Sequence, residues 1–275
     1  MAVLVVKADG TSEPFDPSKL HRSLSRAGAN SVTAEEISKE ITRELYSGIS
    51  TGQIYHKAFA YLQQHRRGTA ARYSLKRAIQ EFGPSGFPFE AYLAELFRSE
   101  GYAARIDQIV QGACVEHEVD VVLTKERIRI YVEAKFHNNP GYKTDLKTVL
   151  YVQARMDDLQ KKTPAVPLRG LVVTNTKFST KAIEYASCKG LELLSWDHPT
   201  GVDLHERIDI AKLYPVTALT TLTRPEKTLL LSQKKVLCSQ IPHELQTLAQ
   251  IGVRGARAEA VLEEVGALCI PGKDI

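Results

Sequence analysis

The hydrophobic period of the chain changes at one short segment, Gly83-Pro84-Ser85-Gly86. Before this segment, apolar residues recur every three or four positions, as they do on one face of an α-helix. After it, apolar and polar residues alternate over several stretches, which is typical of β-strands. Glycine and proline in close succession interrupt both patterns, so the segment indicates a boundary between two structural units.

The N-terminal unit is predicted to be a small hairpin followed by four helices. The apolar run Val3–Val6 precedes Asp9-Gly10, a dipeptide that favours a hairpin turn. Proline in the first turn of a helix places the start of the first helix at Asp16-Pro17. The other three helices are predicted to begin after a capping box at Thr33, at Ser50 or Thr51, and at about Thr69.

The middle of the chain reads as helix, three strands, helix, strand, helix, strand. This order predicts an α/β fold, with a mixed sheet flanked by helices. The C-terminal segment is mostly helical, with helices His243–Gln250 and Ala256–Val265 on either side of a glycine turn. We therefore expect three domains, with boundaries at 1–84, 85–200 and 201–275.

Composition excludes several classes of protein. Hydrophobic residues make up 43% of the chain and charged residues 25%, as in ordinary globular proteins. No uncharged apolar run approaches the ~20 residues of a membrane helix, and the start lacks the pattern of a signal peptide. The four cysteines form no CxxC pair, so zinc has little support. We expect a cytoplasmic protein with no membrane partner.

The net charge of +4 comes from one part of the chain. Residues 1–86 contain 12 lysines and arginines against 8 acidic residues, and the remainder is balanced. This distribution argues against a protein that coats nucleic acid by charge alone. It favours a small anion bound by the N-terminal unit.

Two neighbouring predicted strands carry charged residues among apolar ones. Side chains alternate across a strand, so Glu133 and Lys135 lie on the same face, roughly 7 Å apart. If Lys125-Glu126 forms a two-residue turn, Asp120 opposes Tyr131 and lies diagonally beside Glu133. The two carboxylates are then within reach of one ion.

Such a trio has a specific chemistry. Mg²⁺ prefers one or two carboxylates plus water, and a nearby ammonium offsets charge that develops in a transition state. The alternative is a surface hairpin with a cross-strand Glu–Lys pair. Asp120 interrupts an apolar strand, where an unpaired charge is costly, and this favours the metal site.

Five short segments after Gly86 form a recognisable set: Phe89-Glu90, Gly101-Tyr102, Glu118-Val119-Asp120, Glu133-Ala134-Lys135 and Val172-Val173-Thr174-Asn175. Through them, residues 87–197 resemble the PD-(D/E)xK restriction-endonuclease superfamily, in its Mrr-like branch. The resemblance implies a nuclease that acts on DNA. Asp120 and Glu133 would then bind Mg²⁺ (or Mn²⁺), and Lys135 would be the catalytic lysine.

Two further residues are candidates for the same site. Glu90 lies on the inward face of the first helix of this region and would be an auxiliary acid; otherwise it is a helix-start glutamate favoured by the helix dipole. Gln153 lies on a face with Leu146, Val149, Leu150 and Met156, where an apolar residue is expected. Mrr-like proteins often carry a glutamine there, near the active site. The alternative for Gln153 is a boundary residue that binds the backbone.

The N-terminal unit carries a second resemblance. Val6-Lys7-Ala8-Asp9-Gly10 and Phe15-Asp16-x-x-Lys19-Leu20 resemble the start of the ATP-cone domain, the nucleotide-sensing cap of ribonucleotide reductases and of their repressor. The likeness extends over residues 2–83. It implies that ATP or dATP is bound by a set of seven residues: Val6, Lys7, Lys19, Thr51, Tyr55, Lys76 and Arg77.

This resemblance is incomplete at two positions. Ala8 stands where the family usually has arginine, and Tyr55 stands where some members have histidine. The alternative is a charged helical bundle without a ligand. The chain contains no GxxxxGK(S/T) motif, so we interpret the nucleotide as a regulator rather than a fuel.

These patterns support two functions. The first is a Mg²⁺-dependent DNA endonuclease regulated by adenine nucleotide; the alternative is a non-catalytic, nucleotide-sensing DNA-binding regulator. RNA is a third, minor substrate option. Ile251–Gly255 faintly resembles a helix-hairpin-helix that would contact DNA phosphates, and a plain helical turn explains it equally well. Cleavage of both strands requires two active sites, so we expect a homodimer or higher oligomer.

Overall fold

The computed structural model describes residues 3–65, 67–241 and 245–269. Across these residues, no helix is both long enough and apolar enough to cross a membrane.

The chain forms two compact units that do not follow the order of the sequence. The first unit contains the chain up to Ala78, Tyr214–Leu229 and the chain from Cys238 onward. The second contains Ile79–Leu213 and Leu230–Leu237. The segment 201–275, expected to form one domain, is therefore divided between the two units, and most of its helices belong to the first.

The first unit begins with the predicted hairpin, which gains a third strand. Strands β1 (Leu4–Val6) and β2 (Ser12–Pro14) are antiparallel, and β3 (Ile49–Ser50) pairs with β1 in parallel. Five helices follow the hairpin in the chain: α1 (Pro17–Arg26), α2 (Ser31–Arg43), α3 (Thr51–His65), α4 (Arg67–Tyr73) and α5 (Leu75–Gln80).

Two of the predicted helix boundaries differ from the structure. Helix α2 is capped by Asn30, whose side chain accepts a hydrogen bond from Thr33 N at 2.8 Å. The predicted cap at Thr33 is wrong because asparagine is the stronger N-cap and stands three residues earlier. The predicted fourth helix is divided at Ser74 into α4 and α5.

The second unit is the predicted mixed sheet flanked by helices. Its five long strands have the order β10-β8-β6-β5-β4, in which β4, β5 and β6 are antiparallel and β6, β8 and β10 are parallel. The strands are β4 (Ala103–Gln111), β5 (Glu116–Lys125), β6 (Ile128–Lys135), β7 (Lys143–Thr144), β8 (Leu168–Thr174), β9 (Lys177–Phe178) and β10 (Glu192–Leu194). The helices are α6 (Phe87–Ser99), α7 (Leu146–Lys162), α8 (Thr180–Lys189) and α9 (Leu204–Ala211).

The pairing of β5 with β6 differs from the predicted register by two residues. Val121 pairs with Val132 and Lys125 with Ile128, so the turn is Glu126-Arg127 rather than Lys125-Glu126. Asp120 consequently does not oppose Tyr131. A slip of one residue would reverse the faces of the strand, but a slip of two leaves each side chain on its expected face.

Helix α7 covers one face of this sheet. Tyr131 of β6 is 5% exposed and belongs to a cluster with Val149, Val152 and Met156 of α7. The helix also connects two parallel strands, as the geometry of a parallel pair requires. It therefore lies directly over the strand that carries Glu133.

The C-terminal helices are α10 (Arg224–Ser232), α11 (Leu245–Gln250) and α12 (Ala256–Cys269). The last two approximate the predicted pair, although His243 lies outside the described residues. Helix α12 packs against α4 within the first unit. There, the buried Glu264 accepts hydrogen bonds from the backbone N–H and hydroxyl of both Thr220 and Thr221.

Candidate active site and nucleotide site

Strands β5 and β6 part at Asp120. Their paired residues end at Val121 and Val132. One residue beyond, the carboxylate of Asp120 accepts a hydrogen bond from the backbone N–H of Ala134 at 2.6 Å. A side chain thus replaces the backbone acceptor of the ladder, and this fixes the Asp120 carboxylate beside the end of β6.

Glu133 is buried and has a cation on each of its two oxygens. It is 4% exposed; Oε1 pairs with Lys135 Nζ, and Oε2 accepts from Arg155 Nη1 at 2.5 Å. The Arg155 side chain is 7% exposed, whereas that of Lys135 is 37% exposed. The predicted Glu133–Lys135 pair on one strand face is therefore present, together with a third partner.

The carboxylates of the site act on one another electrostatically. Burial and the negative charge of Glu133 raise the pKa of Asp120. Burial raises the pKa of Glu90 to about 7, and the charges of Asp120, Asp107, Glu118 and Glu133 add to this shift. Glu90 is therefore within electrostatic range of the other carboxylates, and its role as an auxiliary acid stays a prediction.

Gln153 has no hydrogen bond to this group of residues within the part of the chain that the structure describes. Its amide donates to Asp157 Oδ1 at 2.7 Å, and its Oε1 is buried without a partner among the described residues. The apolar stripe assumed for this helix is also partly wrong, because Leu150 is 42% exposed. The role of Gln153 in catalysis stays a prediction.

Arg155 is a residue that the sequence did not identify as part of the site. Its side chain is 7% exposed, although arginine is usually found at the protein surface. It lies three residues after Val152 and four before Leu159, both buried. That helical spacing was the available signal, because it places Arg155 on the covered face.

His117, just before the Glu118-Val119-Asp120 segment, contacts helix α7. Its Nε2 lies 2.8 Å from Asp158 Oδ2, and Asp158 Oδ1 accepts from Cys114 N at 2.8 Å. These contacts attach the β4–β5 turn to α7. His117 thus has a structural partner away from Asp120.

The donor set is suited to a small hard cation. Within the part of the chain that the structure describes, no cluster of three or more His, Cys, Asp or Glu residues has the arrangement of a metal site. Asp120 and Glu133 supply two carboxylates, and Mg²⁺ typically binds through one or two carboxylates and keeps several waters. Their unfavourable mutual charge is what a divalent cation would relieve, so the two residues fit such an ion.

In the first unit, Lys7 and Lys19 meet at one carboxylate. Lys7 Nζ lies 2.6 Å from Glu13 Oε2, and Lys19 Nζ lies 3.0 Å from Glu13 Oε1. The two lysines predicted to bind phosphates are thus brought together by the hairpin and α1. Glu13, which lies between them in the sequence, was not predicted as their partner.

The other predicted nucleotide residues fall into two places. Val6 pairs with Ser50 across β1 and β3, which brings it beside Thr51 at the start of α3. Tyr55 stacks on Tyr73 with ring centroids 5.3 Å apart. Two predicted basic residues lie on α5: Arg77, 5.6 Å above the Tyr55 ring, and the partly buried Lys76.

The fold is a mixed sheet in which two central strands separate at Asp120, and the second of these strands carries Glu133 and Lys135. This arrangement is that of a restriction-endonuclease-like protein. Three family models match successive parts of the chain. The ATP cone domain matches residues 3–81, the restriction endonuclease domain residues 84–200, and the AF1548-like C-terminal domain residues 214–269.

Individual relatives extend this result. An uncharacterized protein of Archaeoglobus fulgidus is 35% identical over 176 residues, which cover 62% of this chain and 97% of the relative. The crystal structure of AF1548, a protein of unknown function, is 31% identical with a TM-score of 0.55, over 66% of this chain and 96% of that one. The chain therefore belongs to the AF1548-like family, and its residues 3–81 match the ATP cone domain. A repair endonuclease from Pyrococcus abyssi is 18% identical over 40% of this chain and 46% of its own, with a TM-score of 0.33.

Proposed function

We propose that this protein is a metal-dependent endonuclease that hydrolyses phosphodiester bonds in DNA and is regulated by ATP or dATP. The observation that carries the proposal is the group formed by Asp120, Glu133 and Lys135 where β5 and β6 part. Glu90 adds a third carboxylate to the same region.

Asp120 and Glu133 would hold Mg²⁺ (or Mn²⁺). When bound, such an ion makes a coordinated water a stronger nucleophile and stabilises the charge of the transition state. Lys135 is partly exposed, so its ammonium can leave Glu133 for water or a phosphate at low cost. Next to the reacting phosphate it offsets the negative charge that develops on the oxygens.

Glu90 has a different role from the two ligands. A carboxyl with a pKa of about 7 both holds and releases a proton near neutral pH, which suits an acid or base in hydrolysis. Its position among the other carboxylates supports this assignment. Gln153 would serve only as a neighbouring residue that positions water or substrate.

The ATP cone supports nucleotide binding in the first unit. Lys7 and Lys19 would bind the phosphates, and Val6, Thr51, Tyr55, Lys76 and Arg77 would complete the site. A nucleotide bound there changes cleavage only if it binds two conformations or assemblies of the protein with different affinity. We propose a homodimer or higher oligomer as the assembly on which it acts.

The deciding experiment incubates supercoiled plasmid with the full chain and Mg²⁺, with no nucleotide, with ATP or with dATP. We expect nicked or linear DNA, no cleavage with EDTA, and a rate or molecular mass that changes with nucleotide. A parallel reaction with RNA decides between the two substrates. DNA binding without cleavage under every condition would contradict the endonuclease and leave the non-catalytic regulator.

A further inference from the structure

The two cations on Glu133 are held very differently. The Arg155 side chain is 7% exposed and that of Lys135 is 37% exposed. Arg155 is also held by Tyr151. Its Nη2 donates to the Tyr151 hydroxyl at 3.0 Å, and its guanidinium lies 4.8 Å from the centre of that ring. Separating a buried pair leaves uncompensated charges away from water, whereas an exposed ammonium regains its hydration.

The difference determines which oxygen of Glu133 is available to a ligand. Lys135 would therefore give up Oε1 to a divalent cation, while Arg155 would stay on Oε2. Glu133 would then hold the ion through one oxygen, and the pair on the other oxygen would set its position. The same exchange would free Lys135 for the substrate.

The charges of the site lead to a second consequence. The carboxylates of Asp120 and Glu133 are balanced by the cations of Lys135 and Arg155, so these four side chains have no net formal charge. Glu90 adds at most one negative charge, and Asp107 and Glu118, which also act on Glu90, are exposed to water and screened by it. A divalent cation therefore enters a site that Arg155 has already neutralised, and the excess positive charge is removed only when an anion follows it.

We propose that Arg155 is a positioning residue that makes metal binding depend on the substrate phosphate. The inference rests on the proposed function, since it assumes that Asp120 and Glu133 bind a divalent cation. Binding of metal and of phosphate are then linked, and each raises the affinity for the other by the same factor. The free protein binds the metal weakly, and the complex with DNA binds it tightly.

The test measures Mn²⁺ binding to the full chain by electron paramagnetic resonance, with and without a DNA duplex with hydrolysis-resistant phosphorothioate linkages. The Asp120→Asn variant with the same duplex corrects for Mn²⁺ bound to DNA. We expect the duplex to raise the Mn²⁺ affinity of the wild type roughly tenfold or more, within the usual range for coupled sites. Arg155→Gln is expected to bind Mn²⁺ more tightly than wild type without DNA and to lose most of the gain with DNA.

Two variants make this result specific. Arg155→Lys keeps the charge and is expected to retain the coupling. Arg169→Gln removes an exposed arginine paired with Glu192 on the same sheet and is expected to match the wild type. An Arg155→Gln protein that is folded by circular dichroism but has wild-type coupling would overturn the role of Arg155 and leave the proposed function intact.

If Arg155→Gln does not fold, Mn²⁺ binding to the wild type with and without DNA still tests the proposed coupling. Mn²⁺ affinity that is independent of DNA would overturn the coupling, while metal-dependent cleavage still supported the nuclease. If the wild type binds no more Mn²⁺ than Asp120→Asn does, both proposals are overturned together.

Discussion

The carboxylate of Asp120 accepts a hydrogen bond from the backbone N–H of Ala134 at 2.6 Å, in a position where an antiparallel ladder would place a carbonyl oxygen. The contact lies between two residues of the candidate site, because Ala134 separates Glu133 from Lys135. It fixes Asp120 relative to both without requiring a metal ion. The site is therefore largely organised by the backbone of two strands.

Asp120→Asn should abolish metal-dependent cleavage and leave the fold intact. Asparagine still offers an oxygen to Ala134 N, but it removes the charge that binds the cation. Loss of several kcal/mol of transition-state stabilisation corresponds to a fall in rate of at least ~10²-fold. Cleavage of plasmid in Mg²⁺ measures this, with the exposed Glu116→Gln on the same strand as control. Equal activity of the two variants would remove Asp120 from the mechanism.

The choice of substitution matters more for Glu133. The structure places Arg155 and Lys135 on the two oxygens of its carboxylate. Alanine would leave the guanidinium of Arg155 buried and unpaired, which typically costs about 3–5 kcal/mol. Glu133→Gln, which retains a hydrogen-bond acceptor, is therefore the informative variant.

Lys135→Met should slow cleavage by at least ~10²-fold while DNA affinity changes little, because the ammonium acts on charge that develops in the reaction. Glu133 keeps Arg155 in this variant, so the fold is retained. Single-turnover rates and filter binding separate the two effects. Lys189→Met, at the exposed end of α8, is the control. A loss confined to DNA affinity would make Lys135 a phosphate-binding residue instead.

Glu90 should make the protein less stable as the pH rises through the acidic range. Its pKa is raised to about 7 in the folded chain, so the folded state binds a proton that the unfolded state releases above its ordinary value of 4.5. Stability is then lost between these two values, at up to about 1.4 kcal/mol per pH unit.

The corresponding variant is Glu90→Gln, which is neutral at every pH. Its stability should equal that of the wild type near pH 4.5 and exceed it at pH 8. Denaturant unfolding at a series of pH values measures the difference. Glu95→Gln, on the same helix, removes a surface carboxylate that pairs with Arg98 and should keep the wild-type pH profile. If the free energy of unfolding depends on pH in the same way for wild type and Glu90→Gln, the raised pKa of Glu90 is contradicted.

The sequence predicted the fold and the common strand face of Glu133 and Lys135 because both depend on local pattern. Alternation across β6 placed Glu133 and Lys135 on one face, and that prediction survived an error of two residues in the register. The error arose because the turn lacks Asn-Gly or Asp-Gly, the dipeptides that specify a tight hairpin. Glu126 instead adopts a positive φ of 54°, which its residue type does not announce.

Helical spacing indicates that Arg155 lies on the covered face of α7, but it does not give its partner. The pair with Glu133 joins α7 to β6 and spans 22 residues of the chain. The same limit applies to the C-terminal helices. The packing of α12 on α4 joins segments that are far apart in the sequence, and composition gives no indication of it. Pairings over such distances are decided by tertiary structure.

Glu264→Ala should destabilise the first unit strongly. Glu264 is 3% exposed and accepts four hydrogen bonds from Thr220 and Thr221. Its removal leaves buried donors without a partner, each costing about 1–3 kcal/mol. Denaturant unfolding of the full chain measures the loss, and Glu263→Ala, exposed on the same helix, is the control. Similar stability of the two variants would mean that the Thr220–Glu264 contacts contribute little.

Lys7→Ala and Lys19→Ala should each reduce the affinity for ATP or dATP by about tenfold, the usual effect of losing one hydrogen bond to a charged group. Both lysines are partly exposed in their pairs with Glu13, so they exchange that carboxylate for phosphate at low cost. Calorimetry on the full chain measures binding, because the first unit includes C-terminal residues. Lys39→Ala, whose lysine pairs with Glu35 on α2, is the control. Equal nucleotide affinities of all variants would place the nucleotide elsewhere. Phosphate should not be released in proportion to cleavage, and its stoichiometric release would show that the nucleotide is consumed.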